Sequence, residues 1–273
     1  HFWLAGKARG LASSFEDYCL EVVAAFDGKF AQLPSNGLNY AYHLDAVKMA
    51  EVLREHIVGT LGVTHISDHV TRVIGVPDSD IIGVKTRENG QVDGDLFIDC
   101  TGQKSLLLGE HFGVPFVDQS HILFNDRAVV TQCAVAPDVP IVSQTVSTAH
   151  EAGWIWDIGL PTRRGVGCVY ASNYISDERA AEILRDYVGD PDCSVRQLAF
   201  TSGHRQHFWH RNCLAIGLSA GFLEPLEASA IVLVELSAEM LADNLPVTRE
   251  DMTIEARKFN HIFQYRWARI IDF

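Results

Sequence analysis

Apolar residues recur at helical spacing over residues 15–26, where Tyr18, Val22 and Ala25 share one stripe, and this period predicts a helix. Leu33-Pro34-Ser35-Asn36-Gly37 reads as a loop and residues 39–43 as a short strand. Asp45 then stands where an N-cap belongs, before a helix predicted over 46–58. Val47, Ala50, Leu53 and Ile57 form its apolar stripe, with Arg54 on the edge. Downstream the pattern turns to β-branched runs. Strands are predicted over 63–66, 70–76, 81–86 and 95–100, with Asn89-Gly90 as a hairpin signal.

Residues 127–172 predict an antiparallel sheet with strands over 129–135, 141–146, 153–158 and 166–172, and Arg163-Arg164-Gly165 as a turn. A helix follows from Asp177 to Tyr187, and short strands return at 198–200 and 213–216. Residues 228–242 hold no Gly or Pro and exceed the length of one strand, so a helix is expected, and the all-round apolar run Ile231-Val232-Leu233-Val234 implies burial. A last helix begins near Arg249. A sheet-and-helix part, an antiparallel part and a return to the first part are interleaved, so the segment from 211 onward is expected beside the first sheet.

Composition narrows the partners. At 273 residues, 47% hydrophobic and 21% charged, the chain can bury a sizeable core. Its net charge of −13 disfavours nucleic acid or an anionic membrane as a partner. No apolar run reaches the roughly 18 residues of a membrane-spanning helix. The six scattered cysteines, Cys19, Cys100, Cys133, Cys168, Cys193 and Cys213, read as buried free thiols of a reducing, cytoplasmic compartment. His204, His207 and His210, spaced by three, suggest one helical face, but no carboxylate or cysteine completes a metal set.

Four segments carry candidate chemistry. Gly217-Leu218-Ser219-Ala220-Gly221 leads through Glu224-Pro225-Leu226-Glu227 into the apolar helix. A helix start near Glu227 would place a potential proton acceptor beside unpaired N–H groups that favour an anion; an ordinary turn with a dipole-complementing glutamate fits the same letters. Leu96-Phe97-Ile98-Asp99-Cys100-Thr101-Gly102 is an apolar strand ending in a small polar turn, as at strand ends that receive cofactors or simply as a capped turn. Trp154 and Trp156, two apart in a strand, project to one face and could wall a heterocycle or pack within a sheet. Asn125-Asp126-Arg127 and Arg163-Arg164 are polar clusters at strand starts.

Together these segments resemble the flavin-dependent halogenases of the tryptophan halogenase family. The resemblance rests on 42–46 (Tyr-His-Leu-Asp-Ala), 97–102, 114–118, 125–129, Gly153 to Ile158 (the W-x-W-x-I-P signature) and Gly217 to Ile231 (the G-F-x-E-P-L-E-S-T turn). Gly159 stands where the family usually has proline, and Ala228, Ser229 and Ala230 where its best-known members have serine, threonine and glycine.

The resemblance implies an α/β, flavin-monooxygenase-like fold of the two-dinucleotide-binding-domain kind, with an interleaved antiparallel sheet. It divides the chain into a flavin-binding part (1–110), a mainly antiparallel substrate side (111–210), a return to the flavin-binding core (211–245) and the start of a helical C-terminal region (246–273). It implies halogenation, with chloride or bromide, of an electron-rich aromatic such as tryptophan or another indole. Reduced FAD from a separate flavin reductase and O2 are required, and hypohalous acid is the agent. Glu227 is implied as catalytic, Ser229 and Ala230 as halide-binding, Val70, Gly102, Leu218 and Ile231 as FAD-binding, and Trp154, Trp156 and Ile158 as tunnel residues. The family's G-x-G-x-x-G fingerprint and catalytic lysine are expected upstream of this chain, which then reads as an internal fragment that binds flavin poorly alone. A homodimer is compatible with the pattern. A halide-independent flavin monooxygenase and a non-catalytic flavoprotein are the alternatives.

Overall fold

A computed structural model describes residues 2–29, 40–225 and 228–273. The chain forms two compact units, each built from two stretches: residues 1–63 with 127–198, and residues 64–126 with 199–273.

The first unit is built on a five-stranded antiparallel sheet, in the order Arg196–Ala199, Arg127–Ala134, Arg163–Tyr170, Gly153–Gly159, Val146–His150. Alternation places Val129, Ile155, Val166, Cys168 and Tyr170 on one face, where Ala180 and Leu184 of the helix Asp177–Val188 cover them. Ser176 caps that helix by accepting from Arg179 N, and Gly189 ends it in the left-handed conformation at φ 77°. The Tyr170 hydroxyl donates to Asp177 Oδ1 at 2.7 Å, so the buried phenol is paired where the helix begins. Asp45 caps the helix Ala46–Gly59 as expected and also pairs with Arg163 Nη2 at 3.0 Å.

The second unit holds three small sheets. Val70–Ile74, Gly83–Thr86 and Gln91–Asp93 form an antiparallel meander whose second hairpin turns at Asn89-Gly90. Phe116–Asp118, Gly203–Arg205 and Gly221–Phe222 form another sheet. In the third, Cys213–Ala215 pairs parallel with Phe97–Asp99 and antiparallel with Trp209–His210. The return from 211 onward therefore lands beside the strand at 97–99, as the interleaved pattern predicts. Buried Asn212 locks the layers, accepting from Ile81 N at 2.9 Å and donating to Ile81 O at 2.8 Å. The helix Arg249–Asp272 starts with a reciprocal Thr248/Asp251 capping box. It buries Phe259, Phe263 and Trp267 against Phe208 and Leu214.

Several expectations change. Residues 40–43 and 63–66 form no strand, and the predicted helix 15–26 is a short 3-10 turn, Glu16–Tyr18, followed by Leu20–Phe26. Apolar letters alone do not make a strand where no neighbouring strand pairs with the backbone. The strand expected at 141–146 begins at Val146, and Arg163-Arg164-Gly165 lies within a strand, the turn falling at Pro161-Thr162. The stripe of Ala46–Gly59 is not buried: Val47 is 66% and Leu53 49% exposed. Likewise the helix Ser229–Asp243 buries Leu233 and Ser237, while Ile231 is 70% exposed. Only Cys168 and Cys213 of the six free thiols are buried, and Cys100 is exposed. His204 and His210 lie on short strands and His207 between them, because the neighbouring chain pairs there as sheet. Among the described residues no helix is long and apolar enough to cross a membrane.

Candidate functional site

The parallel pair Phe97–Asp99 and Cys213–Ala215 brings two turns side by side at its carboxyl end, Gly102–Lys104 and Gly217–Ser219. Open α/β folds receive ligands outside such strand ends. Asp99 holds the two turns together. Fully buried, it accepts from Thr101 N at 3.0 Å, Thr101 Oγ1 at 2.6 Å, Leu107 N at 3.0 Å, Leu108 N at 2.9 Å and Ser219 Oγ at 3.1 Å. Burial alone would raise its pKa; the hydrogen bonds from Thr101, Leu108 and Leu107 outweigh it and hold the carboxyl below its ordinary value. The N–H groups of Leu107 and Leu108 come from a six-residue π-helix, Leu106–His111, entered through Ser105 at φ 48°.

Gly102 sits on this floor at φ +76°, and a Cβ there would meet no atom within 4 Å. Its surface is open, and its backbone can approach a flat ligand closely. Ser219 Oγ also reaches the Gly102 carbonyl at 3.1 Å. Leu218, 47% exposed, and Ile231 border an apolar cavity of about 170 Å3 that Ala230, Val234 and Phe222 also line.

The helix Ser229–Asp243 meets this cavity at its N-terminus, where Ala230 and Ile231 line it. Its N-cap is Ala228, in the left-handed conformation at φ 51° and without a capping side chain, and no acidic residue stands in its first turn. The leading N–H groups, those of Ser229 and Ala230 among them, therefore receive no acceptor from the N-cap side chain that most helix starts supply. The partial positive charge and N–H groups of a helix start suit a small anion. Upstream, Asn125 Nδ2 donates to Glu224 Oε2 at 2.5 Å, tying Asn125 to the turn before the helix.

The structure thus gathers Gly102, Leu218, Ala230 and Ile231 in one region of the second unit, with Ser229 at the adjoining helix start. Val70 opens the outer strand of the separate meander. Glu227 and Leu226 lie outside the described residues. Trp154, Trp156 and Ile158 belong to the first unit. The two indoles share one strand face with centroids 6.2 Å apart. Trp156 lies across Gly167, its register partner, so closely that any Cβ there would overlap its ring. Asp99 and Ser219 are the residues the sequence reading passed over. The available signal was a carboxylate at the end of an apolar strand, followed by Thr101, Gly102 and Ser105. Among the described residues no cluster of three or more His, Cys, Asp or Glu could hold a metal.

The exposed apolar edge at Leu218 and Ile231, the open Gly102 and the parallel strand ends fit a flat heterocyclic cofactor, and the fold is the mixed α/β, flavin-monooxygenase-like one of flavin-dependent halogenases. The tryptophan halogenase family model matches residues 1–273, and the chain belongs to that family. It is 43% identical over 212 residues to the 7-chloro-L-tryptophan 6-halogenase KtzR of Kutzneria sp. (strain 744), covering 76% of this chain and 40% of that protein. It is 32% identical to the tryptophan 7-halogenase RebH of Lentzea aerocolonigenes, over all of this chain and 53% of that one. A solved tryptophan halogenase from Shewanella frigidimarina superposes with TM-score 0.89 at 44% identity, covering 99% of this chain and 53% of that one. BrvH, a flavin-dependent halogenase from Brevundimonas sp. BAL3, superposes with TM-score 0.91 at 35% identity, over 100% and 56%. The chain therefore spans about half the length of the relatives it matches.

Proposed function

We propose that the protein takes part in FADH2- and O2-dependent halogenation of an electron-rich aromatic, tryptophan or another indole, with chloride or bromide. The observation that carries this reading is the helix start at Ser229–Ala230, whose N-cap Ala228 supplies no side-chain acceptor, beside the apolar edge of Leu218 and Ile231. It offers an anion seat adjoining a place for a flat cofactor. Gly102, Leu218 and Ile231 would hold FAD, with Val70 toward its adenine side, and the Ser229 and Ala230 N–H groups would hold the halide. When bound, reduced FAD with O2 supplies the oxidation that turns halide into hypohalous acid. A separate flavin reductase would supply the reduced cofactor. The functional division into flavin-binding segments (1–110 and 211–245), a substrate side (111–210) and a helical C-terminal region from 246 follows the same reading.

Glu227 is assigned as the catalytic carboxylate on the family turn. An aromatic ring that accepts X+ at carbon becomes cationic and must lose the proton from that carbon. A nearby carboxylate stabilises the developing charge and takes the proton. The bulky Trp154 and Trp156, with Ile158, are assigned as a wall that keeps the aromatic substrate from the cofactor.

The test is product formation from tryptophan and indole with a flavin reductase, O2 and either halide. Glu227→Gln should retain FAD and halide binding and lose roughly 10²–10⁴-fold in turnover. Product formed equally well without halide, or undiminished in Glu227→Gln, overturns the assignment.

A further inference from the structure

The apolar cavity of about 170 Å3 that Leu218 and Ile231 border takes its inner walls from both long helices of the second unit. Leu233 and Ser237 come from Ser229–Asp243, Phe259, Phe263 and Trp267 from Arg249–Asp272, and Phe208 closes the space. These wall residues are buried, whereas Leu218, Ile231 and Val234 are exposed, which puts the mouth at the edge proposed for the flavin. Stacked rings hold the walls in place: Phe259 and Phe263 lie parallel with centroids 4.2 Å apart, and Phe208 stacks on Trp267 at 5.9 Å. Packed rings relax only partly into a void, so the space persists.

No charged side chain lines this space, and its one hydroxyl, Ser237 Oγ, donates to Leu233 O of the same helix at 2.6 Å. An engineered cavity of roughly 150 Å3 lined by Leu, Ile and Phe stays dry and takes up benzene or xenon, so this cavity has the size and lining for a small apolar molecule. The reactants of the proposed chemistry differ in how they suit it. Halide and the tryptophan zwitterion are charged, and burying an unpaired charge among hydrocarbon costs far too much. FAD is far too large. O2 is small, uncharged and apolar, and passes from water into apolar surroundings.

We propose that this cavity binds molecular oxygen and holds it at the flavin edge. The proposal rests on the halogenase reading for the identity of the co-substrate. O2 leaves the cavity at Leu218 and Ile231, where reduced FAD would lie, while halide is held at the Ser229 and Ala230 N–H groups. The apolar co-substrate and the anion thereby reach the cofactor from separate seats.

The test is methyl NMR of the protein under O2 pressure, with Leu and Ile methyl groups labelled and no flavin or halide added. O2 is paramagnetic and speeds the relaxation of nuclei it dwells beside. Leu223 and Leu233 line the cavity, while Leu107 and Ile271 do not, and all four are 5–8% exposed. The O2-dependent relaxation rate should be roughly threefold higher or more at the first two, as expected of a cavity that concentrates an apolar gas. Ser237→Leu fills the space and breaks only a hydrogen bond within its own helix, and Val234→Phe fills it from an exposed position. Each should reduce the rates at Leu223 and Leu233 to the level at Leu107, with folding verified by circular dichroism. Saturating indole should leave the excess of the unaltered protein unchanged. Equal rates at all four residues, an excess kept in either folded variant, or an excess lost to indole, which would make the cavity a substrate pocket, overturns the proposal. The measurement needs no cofactor and no turnover, so a failure of halogenation and a failure of O2 binding are told apart.

Discussion

Ser219 donates its hydroxyl to Asp99 across the parallel strand pair at 3.1 Å, while the same oxygen lies 3.1 Å from the Gly102 carbonyl. One side chain thereby sets the spacing of the two turns that border the proposed flavin place. Ser219→Ala should cost about 1.5–3 kcal/mol, the value of a buried hydrogen bond to a charged partner. Asp99→Asn should cost more, about 3–5 kcal/mol, because its amide nitrogen would face N–H donors that the carboxylate now satisfies. Urea unfolding of both variants measures the difference. Equal stability of Asp99→Asn and the unaltered protein would show that the network is not structural.

Acid should act through the same carboxylate. Asp99 titrates lower in the folded than in the unfolded protein, so the unfolded state binds protons more readily. Its contribution is full above the unfolded carboxyl pKa of about 3.9 and is lost as pH falls through the lower folded value. Unfolding midpoints measured from pH 6 to pH 2 should fall more steeply for the unaltered protein than for Asp99→Asn.

Trp156 keeps its position because its cross-strand partner is Gly167. Gly167→Ala should displace the indole and change tryptophan fluorescence while the sheet still forms. If the two indoles form the wall assigned to them, replacing Trp154 and Trp156 together by alanine should raise hydrogen peroxide release per product formed. Unchanged coupling would leave the pair as sheet packing alone.

Ala228 holds a left-handed conformation without being glycine. Ala228→Gly should relieve about 1 kcal/mol of backbone strain, less what glycine adds in unfolded-state freedom, and raise the melting temperature slightly. The looser helix start should bind halide more weakly, measured by bromide titration of product formation. A lowered melting temperature would contradict the strain assignment.

Much of this protein was legible in the letters. The period-3.6 run capped at Asp45 and the run from Asp177 mark helices, and β-branched runs mark the sheet from 127 onward, because local hydrogen bonding and side-chain period depend on neighbours in sequence. The Trp154/Trp156 face follows from the two-residue repeat of a strand, and the order of the motifs carried the family. What the letters did not decide depends on partners far along the chain. Residues 63–66 have strand-like side chains but no strand beside them among the described residues, and His204 and His210 joined sheets because distant chain at Val117, or adjacent chain at Cys213, paired there. The exposure of Val47 and Ile231 likewise reflects what packs against each helix, which its own periodicity does not contain. Asp99 and Ser219, 120 residues apart, meet because Cys213–Ala215 pairs parallel with Phe97–Asp99. The sequence by itself determined the local elements and the chemical groups on offer; the tertiary structure decided which groups share one place, since hydrogen bonding and burial act across space.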